Sequence, residues 1–312
     1  MLKIDQALSN WIVDNAAKGC ALDAMVDAMV SAGHPREFAR AALAQVLVSP
    51  ATAEPSAAAA AAAAIAAFDD RDHRAPIAAR VASLAAARAL HPPVAVPDPL
   101  RGRSGHIIHA GGQSITVAAK LLAPPVLVFS NVLSDSECDA LIALSRSKLE
   151  RSLVVDPTTG AAATHPERSS AGTYFHRDEA ALVACIDERI AALLNWPIER
   201  GEPLQILHYT MGGEYRPHYD YFDPDTRAAQ THGATGGNRV ATLIIYLQAP
   251  DEGGATTFPD IGFEVAPVRG SAVFFSYDMP DPTSLTLHTG APVVRGEKWI
   301  ATKWLRACAY VA

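Results

Sequence analysis

Tyr215-Arg216-Pro217-His218-Tyr219-Asp220 is answered far along the chain by His288-Thr289-Gly290-Ala291-Pro292 and then by Gly296-Glu297-Lys298-Trp299. A histidine and a carboxylate at i and i+2, a distant second histidine and a lysine shortly after it are the parts of an Fe(II) oxygenase centre. Such a centre needs three protein ligands on one face of the metal, leaving the other positions to an organic acid and dioxygen. His218, Asp220 and His288 meet that need. In an extended segment, side chains two apart point the same way, so His218 and Asp220 can reach one metal while Tyr219 turns away.

His288 lies 68 residues beyond Asp220 (288 − 220), so only a tertiary fold can bring it to the same ion. The intervening segment holds short apolar runs, VATLIIYLQ (240–248) and SAVFFSY (271–277), separated by DEGGAT (251–256) and PVRG (267–270). That pattern predicts strands joined by turns, as in a β-sandwich or barrel. Lys298 follows His288 after a further 10 residues (298 − 288), with Pro292 to Gly296 read as the turn between two strands. The alternation KWIATKWL then sets Lys298, Ile300, Thr302 and Trp304 on one face. A lysine among isoleucine and tryptophan on an inward face wants an anion, and the distal carboxylate of 2-oxoglutarate supplies one.

The runs LQILHYTMGGEYRPHYDYFDP (204–224), GGNRVATLIIYL (236–247), GGATTFP (253–259) and LHTGAPVVRGEKWIATKWLR (287–306) resemble the prolyl 4-hydroxylases. ERSLVVDPTTG (150–160) and ERSSAGTYF (167–175) resemble the stretch preceding that core, so the likeness covers roughly residues 125–312. The resemblance implies a double-stranded β-helix (jelly-roll) domain with Fe(II) as cofactor, 2-oxoglutarate as cosubstrate and ascorbate as reductant. It makes His218, Asp220 and His288 the metal ligands and catalytic with Lys298, and Lys298 the partner of the distal carboxylate. It sets Tyr209 and Thr256 beside that carboxylate as hydroxyl donors, Trp304 on the same pocket, and Tyr215 and Arg239 against a peptide substrate. Ala255 stands where these enzymes often carry an acid and Ala291 where many carry cysteine; neither change removes a ligand.

The implied reaction is hydroxylation of a proline in a protein or peptide, coupled to conversion of 2-oxoglutarate to succinate and CO2. Alternatives are a 2-oxoglutarate-dependent hydroxylase of another acceptor, a metal-binding jelly-roll protein of the cupin kind, a zinc hydrolase, or an interaction protein with a silent core. Lys298 argues against the non-oxygenase readings, and succinate production separates them. The remaining histidines, including His208 and His232, read as structural or surface groups, since His208 faces away from the side that Tyr209 presents. GATGGN (233–238) and DEGG (251–254) lack the following helix and lysine of a phosphate loop and read as hairpin turns.

The chain has 312 residues and a formal net charge of −7, so one catalytic domain with an accessory segment is expected, with neither nucleic acid nor membrane as partner. The start MLKIDQALSNWIVDNAAKG has no cationic head and continuous apolar core of a signal peptide. Cys20, Cys138, Cys185 and Cys308 are scattered without CxxC spacing. Reduced thiols in a cytoplasm follow from that pattern.

Three regions are expected. Residues 1–50 carry helical spacing in three runs, with Pro35 suited to the first turn of the third. Residues 51–104 hold the alanine-rich run Ala57 to Ala67 and the Pro-rich LHPPVAVPDP (90–99), a partly helical linker ending in a stiff connector. Residues 105–312 form the α+β catalytic domain. It opens with a hairpin around Gly111-Gly112 and is braced by a helix after Ser134, with Glu137 completing a capping box, and by a second helix over 178–196. The loops 158–178 and 223–238 are expected to border the substrate entrance.

Overall fold

A computed structural model describes residues 4, 6–17, 20, 22–47, 89, 93–151, 153–155, 162–164 and 169–311. The chain forms two compact units, Met1–Arg80 and Val81–Ala312. No helix among the described residues is long and apolar enough to cross a membrane. The alanine-rich run lies outside the described residues, and so do residues 158–161 and 165–168 of the 158–178 loop.

The first unit contains α1 (Gln6–Ala17), α2 (Leu22–Ser31) and α3 (Arg36–Leu47). Apolar residues three and four apart meet in one core of Ile12, Met25, Val26, Met29, Ala39 and Leu43. Pro35 stands just ahead of α3, and its carbonyl accepts the Ala39 N–H at 3.0 Å.

The second unit is an α+β double-stranded β-helix. Its strands are β1 (Ile107–Ala110), β2 (Gln113–Leu122), β3 (Pro125–Ser130), β4 (Glu150–Arg151), β5 (Leu153–Val155), β6 (Ala162–Thr164), β7 (Ala171–Phe175), β8 (Leu204–Tyr209), β9 (Tyr215–His218), β10 (Arg239–Gln248), β11 (Glu252–Gly253), β12 (Thr256–Phe258), β13 (Phe263–Val265), β14 (Ala272–Ser276), β15 (His288–Gly290), β16 (Val293–Arg295) and β17 (Lys298–Arg306). The major antiparallel sheet runs β1-β2-β3-β14-β10-β17-β8-β7-β4, and the minor sheet runs β13-β12-β15-β9. The helices α4 (Asp135–Arg146), α5 (Ala181–Leu194) and α6 (Arg227–Gly233) accompany them.

The major sheet is buried on both faces, which is why its central strands read as continuous apolar runs. On β10, Leu243, Ile245 and Leu247 join Leu141 of α4 and Ile190 of α5 in one core. The alternate residues Ile244 and Tyr246 join Phe258 and Val293 in a second core between the sheets. Helices therefore cover one face, and the minor sheet with its site covers the other.

Local signals act as expected at several points. Gly111 and Gly112, at φ 48° and 77°, turn β1 into β2, a positive-φ pair that glycine adopts without strain. Ser134 and Glu137 form the reciprocal capping box of α4. Glu137 also takes two hydrogen bonds from Arg189 of α5, at 2.6 and 2.9 Å. Burial opposes its ionisation, yet those bonds and the cap hold its carboxyl down to about 2. The helix over 178–196 is shorter than expected, beginning at Ala181 and ending at a left-handed Asn195.

Three features differ from the sequence reading. Pro93–Asp98 is irregular but docked on the second unit: the Val94 N–H donates to the Asp278 carbonyl at 2.9 Å, and Val96 and Leu100 pack on the core. The folded unit thus begins upstream of Gly105. The segment 223–238 is not a plain loop, because Thr226 caps the N–H of Ala229 and starts α6; GATGGN closes that helix rather than linking two hairpin strands. The turn between Pro292 and Gly296 contains β16, which pairs with β11.

Candidate metal and cosubstrate site

His218 and His288 are direct cross-strand partners in the β9–β15 ladder, with ring centroids 4.3 Å apart. Asp220 sits in the bend just past β9, while Tyr219 stacks on Tyr221. Asp220 Oδ1 lies 3.7 Å from His218 Nε2, and Asp220 Oδ2 lies 3.5 Å from His288 Nε2. Two metal–ligand bonds of roughly 2 Å can span such separations. Among the described residues this is the one group of three such ligands.

The two rings are prepared for a metal by what holds their other nitrogens. His218 Nδ1 faces the Arg216 carbonyl at 2.8 Å, and His288 Nδ1 faces the Thr286 carbonyl at 2.9 Å. A carbonyl can only accept, so each Nδ1 carries the proton and each Nε2 keeps its lone pair for the ion. Burial alone would raise the Asp220 carboxyl. The His288 and His218 rings, Arg239 and the Thr242 hydroxyl outweigh it and hold Asp220 below its ordinary range, as an ionised ligand. The donor set thus fits Fe(II), with positions left open toward the pocket.

Lys298 lines the same pocket on the facing sheet. It is 3 % exposed, and among the described residues no carboxylate lies within ion-pairing distance of its Nζ. Burial pulls its ammonium down to about 8. The Tyr209 and Tyr246 rings stand 5.6 and 5.7 Å from Nζ. Thr256 accepts the Tyr246 O–H at 2.8 Å, which leaves its own hydroxyl proton to donate. A carboxylate beside Lys298 would meet a cation and hydroxyl donors, the environment a dicarboxylic cosubstrate requires.

Register fixes the ends of this pocket. Across β10 and β17, Tyr246 faces Ile300, Ile244 faces Thr302, and Thr242 faces Trp304. At roughly 3.3 Å per residue, Trp304 lies on the order of 20 Å along β17 from Lys298. Trp304 lines the pocket, but at the metal end, beneath the Arg239 guanidinium at 3.8 Å, and not beside the lysine. Tyr215 stacks on His218 at 3.6 Å at the pocket rim.

Arg239 is more committed than a free substrate contact. Its Nε and Nη2 donate to Glu202 at 2.7 and 2.9 Å, and its Nη1 donates to the Asp220 carbonyl at 3.3 Å. Glu202 also accepts from Arg306 Nη1 at 2.9 Å, and Arg306 reaches the His232 carbonyl at the end of α6. His208 and His232 stay outside the metal set. His208 bonds Glu297 at 2.7 Å and stacks on Trp299; His232 stacks on Phe222.

Residues 204–306 match the 2OG-Fe(II) oxygenase superfamily. The chain is 36 % identical over 208 residues to Probable prolyl 4-hydroxylase 3 of Arabidopsis thaliana, covering 60 % of this chain and 71 % of that protein. It is 36 % identical over 202 residues to Prolyl 4-hydroxylase 5 of the same plant, covering 58 % and 68 %. The chain belongs to the prolyl 4-hydroxylase family. It is an Fe(II)- and 2-oxoglutarate-dependent dioxygenase. Among solved structures it is similar to the 2-oxoglutarate complex of a viral collagen prolyl hydroxylase from Paramecium Bursaria Chlorella virus-1, at 32 % identity, 58 % and 95 % coverage and a TM-score of 0.45.

Residues with side-chain roles at this prolyl 4-hydroxylase site that the sequence did not single out are Thr242, Tyr277, Tyr246 and Glu202. Thr242 donates to Asp220 Oδ2 at 2.7 Å and lies 3.0 Å from the Tyr277 hydroxyl. One signal was present: Thr242 and Tyr246 are the hydroxyl groups within the otherwise apolar VATLIIYL (240–247) and share the parity of its site-facing residues.

Proposed function

We propose that this protein hydroxylates prolyl residues of a peptide or protein, converting 2-oxoglutarate and dioxygen to succinate and CO2. The observation that carries this reading is the buried ammonium of Lys298, without a carboxylate partner among the described residues, in the same pocket as His218, Asp220 and His288. Fe(II) and 2-oxoglutarate, when bound, supply the oxidative chemistry. The chain's residues supply positioning. His218 and His288 present Nε2, Asp220 presents an ionised oxygen, Lys298 fixes the far carboxylate, and Ile244 and Ile300 make the wall between them apolar.

A prolyl acceptor is supported by the 36 % identity to plant prolyl 4-hydroxylases. The half-buried Tyr215 at the rim offers an aromatic face of the kind a pyrrolidine ring packs against. Ascorbate as the agent that restores Fe(II) and a cytoplasmic setting are parts of the same proposal. Four free cysteines support the reducing compartment.

The test is a succinate-release assay with isotope-labelled 2-oxoglutarate and proline-containing peptides, with hydroxyproline read by mass spectrometry. Succinate coupled to a gain of one oxygen on proline is expected. Turnover of 2-oxoglutarate with oxygen delivered only to other residues would replace the prolyl assignment.

A further inference from the structure

Asp220 is joined to the far side of the sandwich by a chain of two hydroxyl groups that metal ligation alone does not require. Thr242 Oγ1 is 2.7 Å from Asp220 Oδ2, and the Tyr277 hydroxyl is 3.0 Å from Thr242 Oγ1. Thr242 is fully buried, Tyr277 is 3 % exposed and Asp220 is 6 % exposed, so water does not compete for these bonds. The three residues come from separate elements: the bend after β9, the middle of β10, and the position just after β14.

Proton counting fixes the direction. An ionised carboxylate only accepts, so the Thr242 hydroxyl spends its single proton on Asp220. A tyrosine is protonated at neutral pH, so Tyr277 donates to the Thr242 oxygen. A hydroxyl that receives one hydrogen bond becomes a better donor in the next, and a buried chain of this kind polarises toward its charged end. Among the described residues no side chain donates to Asp220 Oδ1. The chain thus occupies one carboxylate oxygen and leaves the other for the ion.

We propose that Thr242 and Tyr277 act in series as positioning residues for Asp220, holding its carboxylate so that one oxygen is presented to the metal. This rests on the reading of His218, Asp220 and His288 as an Fe(II) centre. Outer partners of metal ligands typically change metal affinity by about 10–100-fold when removed.

The experiment titrates the full-length protein with Co(II), reading affinity and the visible d–d bands, alongside the thermal melting of the metal-free form. Thr242→Val removes the donor at nearly constant volume and is expected to weaken Co(II) binding by roughly 10–100-fold and to alter the bands. Thr242→Ser, which keeps the hydroxyl, is expected to stay close to wild type. Tyr277→Phe is expected to weaken binding in the same direction by less. Because Tyr277 acts only through Thr242, the double variant should bind no more weakly than Thr242→Val alone.

Unchanged Co(II) affinity and bands in Thr242→Val would overturn the proposal, and so would fully additive losses in the double variant. If Thr242→Val fails to fold, Tyr277→Phe decides: wild-type affinity and bands overturn the proposal, and weakened binding with unchanged melting supports it. Failure of the wild-type protein itself to bind Co(II) would overturn the metal centre, a result distinct from either.

Discussion

Lys298 stands directly opposite Tyr209 in the β8–β17 ladder, with its ammonium 5.6 Å from the Tyr209 ring and a pocket in front of it. Its lowered affinity for a proton gives the cosubstrate a pH signature. Only the ammonium pairs with the distal carboxylate, and burial brings its loss of charge down to about pH 8. Binding of 2-oxoglutarate is therefore expected to hold steady below pH 8 and to weaken about tenfold per pH unit above it. Lys298→Arg, charged throughout, should flatten that slope. Lys298→Ala should weaken 2-oxoglutarate by roughly 10–100-fold with metal binding intact. Calorimetric titrations between pH 7 and 9.5 check this, and an affinity independent of pH would mean that another cation holds the carboxylate. The cosubstrate-free protein should show the opposite trend in stability, rising between pH 8 and the unfolded lysine value of 10.5, because the folded state binds fewer protons there.

Loss of any one of His218, Asp220 or His288 to alanine removes one of only three protein ligands. Each variant is expected to fold and to lose 2-oxoglutarate turnover, and chelation of the wild type should do the same until Fe(II) is returned. Wild-type turnover by any of the three at defined Fe(II) would remove that residue from the centre.

Glu202 bridges the partly buried Arg239 and the buried Arg306, which face each other across β10 and β17. The Glu202 N–H donates to the Trp304 carbonyl at 3.0 Å, so the backbone fixes the carboxylate between the guanidinium groups. Glu202→Gln leaves both cations short of their anion and is expected to destabilise the protein by about 3–5 kcal/mol. Burial would raise the Glu202 carboxyl, but Arg239 and Arg306 hold it below the usual range. Its stabilising contribution is thus complete above the unfolded carboxylate value and is lost as pH falls through the lower folded value. Urea melts at neutral and acidic pH test both parts; a variant as stable as wild type at pH 7 would refute the bridge.

A truncated chain beginning near Pro93 should keep Fe(II) and 2-oxoglutarate binding, because every ligand proposed lies beyond Glu202. One beginning at Gly105 loses the Val94–Asp278 bond, the packing of Val96 and Leu100, and Arg103, which donates to the Ala192 and Leu193 carbonyls at the end of α5. Burial of two aliphatic side chains is worth about 2–5 kcal/mol, so its melting temperature should fall by roughly 5–15 °C. Equal melting of the two truncations would show that 93–104 is a passive connector.

The chemistry of the site was more legible than its support. His218, Asp220 and Lys298 follow from local rules of alternation, and so does the outward turn of His208. The pairing of His288 with His218 does not, because it depends on closing a long loop between two sheets. Thr242, Tyr277, Tyr246 and Glu202 matter through partners from other strands, and single-chain spacing carries no record of which partner arrives. The fold class was readable from strand runs and turn residues together with the family resemblance. Short elements such as α6 and β16 were missed because they form on tertiary contacts, although Thr226 offered a helix cap. Alternation puts Trp304 on the same face as Lys298 but gives no distance along it, and only the register shows that Trp304 stands at the metal end of the pocket.

β17 uses every second side chain for the pocket and the rest for the helices behind it: Lys298, Ile300, Thr302 and Trp304 look inward, while Trp299, Ala301 and Leu305 join the helix-side core and Lys303 pairs with Asp187 at 2.6 Å. A slip of one residue would exchange the two sets together, setting Trp299 and Lys303 in the pocket and turning Lys298 toward the helices. The strand therefore works as a ruler with two scales that must agree. A single-residue insertion or deletion within it would erase the cosubstrate anchor and the helix interface in one step, whereas a substitution damages one scale at a time.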